Sequence, residues 1–191
     1  MVDLARSEFI LGGQRSGKSR RAEELAGQWM AADTAHRAVL IATGQAWDGE
    51  MRERIARHQR DRAERVPGMV TVEEPLALAG ALHRVSDAKT LVVIDCLTLW
   101  MTNLTMPADA GQALDEAAVI AAGHSLCEAI AAAPGPVVLV GNEIGLGVIP
   151  LGREVRQFVD ALGRLNQSVA AACERVTLMA AGLPLTLKDP T

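Results

Sequence analysis

The chain has 191 residues, a formal net charge of −4, 49% hydrophobic residues and only 3% aromatics, with no tyrosine. That length allows a full core in one folding unit without disulfide or metal staples. The acidic balance and scarcity of rings exclude the basic, base-stacking surface of a nucleic-acid binder, and Asp95, Asn142 and Glu143 interrupt the apolar runs well short of the roughly 18 residues of a membrane helix.

Three cysteines, Cys96, Cys127 and Cys173, are far apart and in apolar surroundings, with no C-x-x-C spacing. They read as reduced packing residues of a cytoplasmic protein. The first residues, Met1 to Glu8, carry acids where a signal peptide needs basic residues, so no targeting segment is expected.

In chain order, apolar stretches of strand length alternate with polar-punctuated stretches of helix length. Strands are expected at Glu8–Leu11, Ala38–Thr43, Met69–Val72, Thr90–Asp95 and Pro136–Val140. They are rich in Val, Ile and Leu without alternation, as strands covered on both faces are. Helices are expected at Lys18–Ala32, Asp48–Arg65, Leu76–Val85, Asp109–Ala133 and Gly152–Cys173. Alternation of this kind predicts a doubly wound α/β fold with a mostly parallel sheet. Arg175–Ala180 and Leu183–Lys188 flank the turn residue Gly182, which predicts a C-terminal hairpin adding an antiparallel edge strand.

Between the first strand and the first helix, Gly12-Gly13-Gln14-Arg15-Ser16-Gly17-Lys18-Ser19 fits G-x-x-x-x-G-K-[ST]. Glycines let successive N–H groups converge on phosphate oxygens, and the helix that follows adds the positive end of its dipole. Lys18 then reaches the β and γ phosphates, and Ser19 is a magnesium ligand. Leu91-Val92-Val93-Ile94-Asp95 is an apolar strand ending in a carboxylate, the position of the acid that holds the magnesium shell in phosphate-loop enzymes. The fold class expected is therefore an α/β P-loop NTPase, RecA-like. No Asn-Lys-x-Asp motif follows the fifth strand, where the chain runs Gly141-Asn142-Glu143-Ile144-Gly145.

The segment from Met51 to Arg62 is dense in arginine. On a helix, Arg54, His58 and Arg62 share a face at i, i+4 spacing. An imidazole nitrogen free of its proton can attack phosphorus, and arginines can clamp the phosphates attacked or released. The alternative is a solvated face with Glu53, Asp61 and Glu64. His36, His83 and His124 have no such setting and read as surface or packing residues.

"GGQRSGKS", "IATGQAWDGEMRERIARHQRDR", "VVIDCLTLWMTNL", "VVLVGNEIGLGVIP" and "GRLNQ" occur in that order from Phe9 to about Lys188. In these segments the chain resembles the bifunctional adenosylcobinamide kinase and adenosylcobinamide-phosphate guanylyltransferase family of cobalamin biosynthesis. The resemblance implies one domain over 1–191. It also implies phosphorylation of adenosylcobinamide by ATP or GTP, then transfer of GMP from GTP to give adenosyl-GDP-cobinamide. It makes His58 the nucleophile of a GMP-histidine intermediate and Lys18 its catalytic companion in the loop. Nucleotide contacts carry over to Gly12 through Ser19, to Ala42, Thr43 and Gly44, to Gln59, Arg60, Asp61 and Arg62, and to Glu73 and Asp95. Ser19 and Asp95 are the magnesium ligands it implies, the corrinoid its small-molecule partner, and a homotrimer its assembly. Gln14 departs from the small residue expected there.

Two other readings remain open from the residues. One is a kinase for some other alcohol that forms no covalent nucleotide. The other is a nucleotide-driven switch without a small-molecule substrate.

Overall fold

The computed structural model describes residues 4–46 and 49–190, the side chains at 50 and 54 excepted. Seven strands, β1 (Ser7–Gly12), β2 (Arg37–Ala42), β3 (Val70–Glu73), β4 (Thr90–Asp95), β5 (Val137–Val140), β6 (Arg175–Ala180) and β7 (Leu183–Lys188), form one sheet in the order β3-β2-β4-β5-β1-β6-β7. All pairs are parallel except β6 with β7, so the predicted hairpin stands as an antiparallel edge. β1, β4 and β5 are buried nearly throughout, whereas β3 is mostly exposed. Its place at the other edge of the sheet accounts for the difference.

Helices α1 (Lys18–Ala32) and α2 (Gly49–Arg65) are both long, and the expected start of α2 at Asp48 lies outside the described residues. The others are α3 (Leu78–Val85), α4 (Leu97–Thr105), α5 (Glu116–Ala132) and α6 (Arg153–Ala172). One core joins Phe9, Ile94, Val137 and Leu139 to α3, α4, α5 and α6 through Leu82, Trp100, Leu126 and Leu162. On the opposite face Ile10, Leu40, Val93 and Val138 meet Ala22, Leu25 and Ala26 of α1 and Val66 just past α2. Two helical layers on one parallel sheet are what the periodicity predicts.

Two expectations change. The helix expected over Asp109–Ala133 is a 3-10 turn at Ala110–Gln112 followed by α5 from Glu116. Two caps divide it: Asp109 accepts from Gly111 N, and Asp115 accepts from Ala118 N at 2.8 Å. An Asp side chain that satisfies a first-turn N–H starts a helix rather than continuing one. The second change is α4, a helix where the sequence reading places no element. Leu97-Thr98-Leu99-Trp100-Met101-Thr102-Asn103-Leu104-Thr105 carries no charge, and nine residues make a weak periodic signal. Burial of Leu97, Trp100, Met101 and Leu104 stabilises it, as Thr102 and Thr105 hydroxyls bond back to the carbonyls of Thr98 and Met101.

β1 and β6 share a buried ionic cluster. Glu8, fully buried on β1, accepts from Arg21 of α1 at 2.9 Å and from the Thr177 hydroxyl of β6 at 2.8 Å. Its second oxygen lies 4.0 Å from Arg175, whose Nε donates to Asp189 at 2.6 Å.

Candidate active site

The carboxyl ends of the parallel strands line up in register. Glu73 pairs with Ala42, Ala42 with Asp95, Asp95 with Val140, and Val140 with Ile10. At about 4.8 Å per strand spacing, Glu73 and Asp95 are roughly 10 Å apart and Asp95 a similar distance from Ile10, two residues before the phosphate loop. The sheet thus sets the two candidate acids and the loop along one edge, where ligands bind in open α/β sheets.

Gly12 leaves β1 at φ 151°, and a Cβ there would meet Met179 O at 2.5 Å and Ser16 Oγ at 2.6 Å. Gly17, at φ 103°, turns the loop into α1. Both positions require glycine, one for closeness and the other for a left-handed backbone. Ser16 Oγ is buried without a hydrogen-bond partner. Lys18 opens α1, is buried, and donates from Nζ to Gly13 O at 2.6 Å.

Three other segments support the loop. In the β6–β7 turn Gly182 N donates to Ser16 O at 3.0 Å, and Glu143 N, after β5, donates to Gly12 O at 3.2 Å. Asn166 of α6 donates to Asn142 O at 3.2 Å, which holds the post-β5 loop from behind. Arg164, for which the sequence suggested no role, makes an exposed ion pair with Glu116.

Ser19 and Asp95, 76 residues apart, come together: the hydroxyl donates to Asp95 Oδ2 at 3.0 Å. Hard oxygens side by side suit magnesium, which takes one or two protein ligands and completes its shell with water and phosphate oxygens. Among the described residues there is no group of three or more His, Cys, Asp or Glu side chains able to hold a metal ion; the pair fits a cation brought by a nucleotide.

Ala42, Thr43 and Gly44 are anchored by a network the sequence did not reveal. Thr43 Oγ1 donates to Cys96 O at 2.7 Å and accepts from Cys96 N at 2.9 Å. Asn103, buried on α4, donates to Thr43 O and Pro75 O, tying the ends of β2 and β3 to the helix after Asp95. A lone amide in the apolar run Trp100-Met101-Thr102-Asn103-Leu104 was the available signal, since a buried amide needs partners. Burial, helped by the charge of Asp95, pushes the Cys96 thiol up to about 12, so it packs as a neutral group.

On α2, His58, Gln59 and Arg60 are exposed and Asp61 is half-buried. Ile55, one turn before His58, comes within 4.0 Å of where a Gly44 Cβ would sit. α2 thereby passes beside the β2 loop at the turn before His58. Arg62 does not join His58 at the surface as the spacing suggested: it is buried, donates to Thr71 Oγ1 at 3.1 Å and lies 4.0 Å from Glu23. The Arg54 side chain lies outside the described residues. Glu73 is exposed at the end of β3. His36 stacks on Trp29 at 3.6 Å, with Nδ1 2.9 Å from its carbonyl, the packing role expected of it.

The phosphate loop opens α1 from β1, and its facing carboxylate ends β4, with β5 inserted between the two strands. That spacing makes the chain an α/β P-loop protein of the RecA-like class. The fold likeness extends to the flagellar accessory protein FlaH from Methanocaldococcus jannaschii, with TM-score 0.53 at 12% identity over 98% of this chain and 80% of that one. Residues 8–187 match the family model described as cobinamide kinase / cobinamide phosphate guanyltransferase. The bifunctional adenosylcobalamin biosynthesis protein CobP of Pseudomonas aeruginosa is 48% identical over 95% of this chain and 96% of its own. The corresponding CobU proteins of Escherichia coli and Salmonella typhimurium are 36% and 34% identical, each over 94% of this chain and 98% of its own length. The chain belongs to the cobinamide kinase / cobinamide phosphate guanyltransferase family, and is an enzyme of cobalamin biosynthesis with both activities.

Proposed function

We propose that the enzyme phosphorylates the hydroxyl of adenosylcobinamide with ATP or GTP, then moves GMP from GTP onto that phosphate through a GMP-His58 intermediate. The product is adenosyl-GDP-cobinamide. The observation that supports the covalent step is the approach of Ile55 to Gly44, which brings the turn of α2 just before the exposed His58 beside strand ends of the kind that hold ligands in open α/β sheets.

In the kinase step the substrate hydroxyl attacks the γ phosphorus in line, the bond to the β–γ bridging oxygen breaks, and the nucleoside diphosphate leaves. Backbone N–H groups of Gly12 through Ser19 orient the phosphates, and the Lys18 ammonium stabilises charge on the β and γ oxygens. Ser19 Oγ and Asp95 Oδ2 would hold a magnesium ion, which neutralises phosphate charge when bound. In the guanylyl step an imidazole nitrogen of His58 forms a bond to the α phosphorus as pyrophosphate departs. The cobinamide phosphate oxygen then displaces the imidazole, so one difficult transfer becomes two. Ala42 through Gly44 and Gln59 through Asp61 contact the nucleotide, Arg62 being turned inward to Thr71 and Glu23, and Glu73 accepts from guanine N–H donors. Because the two steps attack different phosphorus atoms, α2 or the nucleotide shifts between them.

The test is incubation of the parent and His58→Ala with magnesium and GTP labelled at the α phosphate. The parent is expected to retain acid-labile, alkali-stable label on protein and His58→Ala none, with kinase activity preserved in both. Absence of label on the parent, with nucleotide bound, would sink the covalent step.

We read residues 1–191 as one domain of a cytoplasmic homotrimer. The first and last strands share one sheet, and the three cysteines are unpaired. Leu146, Val148, Ile149 and Leu151, each more than three-quarters exposed, provide an apolar segment for a subunit contact. Sedimentation equilibrium is expected to return three chain masses; a single chain mass at micromolar concentration would overturn the assembly.

A further inference from the structure

Glu23 is a buried carboxylate on α1 with no part in the loop itself. It follows Lys18 by five residues, about 7.5 Å along the helix. Each of its oxygens faces a different arginine of α2: Oε2 accepts from Arg65 Nη1 at 2.6 Å, and Oε1 lies 4.0 Å from Arg62 Nε. Arg62 and Arg65 come four and seven residues after His58, which puts all three on one side of α2. Arg62 extends the link to Thr71 of β3. Among the described side chains of α2, Arg62 alone is buried, and Val66 enters the core just beyond it. The last turn of α2 is therefore its fixed end, and the turn carrying His58 projects from it.

We propose that Glu23 is a positioning residue for guanylyl transfer, holding the His58 helix against the helix that opens at the phosphate loop. This rests on the His58 reading above. Glu23 is the buried member and Arg65 the half-exposed one; such a pair adds little net stability, because desolvation of the carboxylate offsets attraction, and the best-attested use of a buried charged group is to set register and orientation. Here the carboxylate joins the element that holds the triphosphate to the element that attacks it. Lys18 donates to Gly13 O within the loop, and Ser19 bonds to Asp95 at the end of β4, whereas the Glu23 clamp ties α1 to the last turn of α2. The two activities should respond differently to its removal.

The experiment measures, in parallel, protein labelling from α-labelled GTP and kinase kcat/KM on cobinamide for the parent, Glu23→Gln, Glu23→Asp, Arg65→Met and the Glu23→Gln/Arg65→Met double variant. Labelling is expected to fall roughly 10- to 100-fold in Glu23→Gln, the scale of a misplaced reacting group, while kinase activity stays within about two-fold. Arg65→Met should fall in the same direction, the double variant no further than Glu23→Gln, and Glu23→Asp should recover part of the loss. Arg65 is nearly half exposed, so its variant reports even if Glu23→Gln folds poorly. Parallel loss of both activities in the Arg65 variant, or undiminished labelling in both Glu23→Gln and Arg65→Met, overturns the proposal. An unlabelled parent removes the His58 reading and the proposal with it.

Discussion

Lys18→Met is expected to lower phosphoryl transfer and protein guanylylation together, each by roughly 10²- to 10³-fold, the usual cost of deleting a group that stabilises charge in the transition state. Lys18 is the first residue of α1, buried and held within the loop by Gly13 O. A thioether of similar length keeps the packing and removes the charge. In the mechanism proposed above both reactions load a triphosphate on the same loop, so both should fail, whereas His58→Ala should remove only one. Initial rates with γ- and α-labelled GTP at matched thermal stability decide it. Kinase activity within ten-fold of the parent would mean that the triphosphate is held elsewhere.

Glu8→Ala is expected to destabilise the fold by about 3–5 kcal/mol, the range for removing one partner of a buried ion pair. The fully buried carboxylate serves Arg21 of α1 and Thr177 of β6, with Arg175 at 4.0 Å. Its loss removes the counter-charge of Arg21 on the helix behind the phosphate loop. For a chain of this size that corresponds to roughly a 10 °C fall in Tm. The Glu8→Met/Arg21→Met pair should regain most of it, because Arg175 keeps Asp189 at 2.6 Å and apolar replacements fill the site. Thermal unfolding of the three proteins is the check. A single variant that melts within 2 °C of the parent would show that the cluster is energetically neutral.

Strand and helix types were legible wherever burial was extreme or periodicity long. Thr90–Asp95 and Ser7–Gly12 are strands covered on both faces, and their unbroken apolar runs say so directly. The loop was legible because phosphate binding demands a local arrangement of Gly, Lys and Ser within eight residues. The 17 residues of α2 were visible as a helix, yet the face shared by His58 and Arg62 was only half of the answer. Periodicity reports which residues lie on one side, while the partner that draws each away from water belongs to another element, here Glu23 of α1 and Thr71 of β3. α4 escaped because its stability comes from burial of Leu97, Trp100, Met101 and Leu104, and its nine uncharged residues are too few to mark a helical period.

By itself the sequence determined the alternation of strands and helices, the phosphate loop, the acid ending the fourth strand and the family, because each is written in neighbouring residues. Only the tertiary structure decided that Ser19 meets Asp95 across 76 residues, that the C-terminal hairpin braces the loop through Gly182 and Met179, and that Arg62 turns inward to Glu23. Those contacts join residues whose spacing along the chain carries no signal. They follow from the order and register of strands in the sheet, which burial of both faces selects for the chain as a whole.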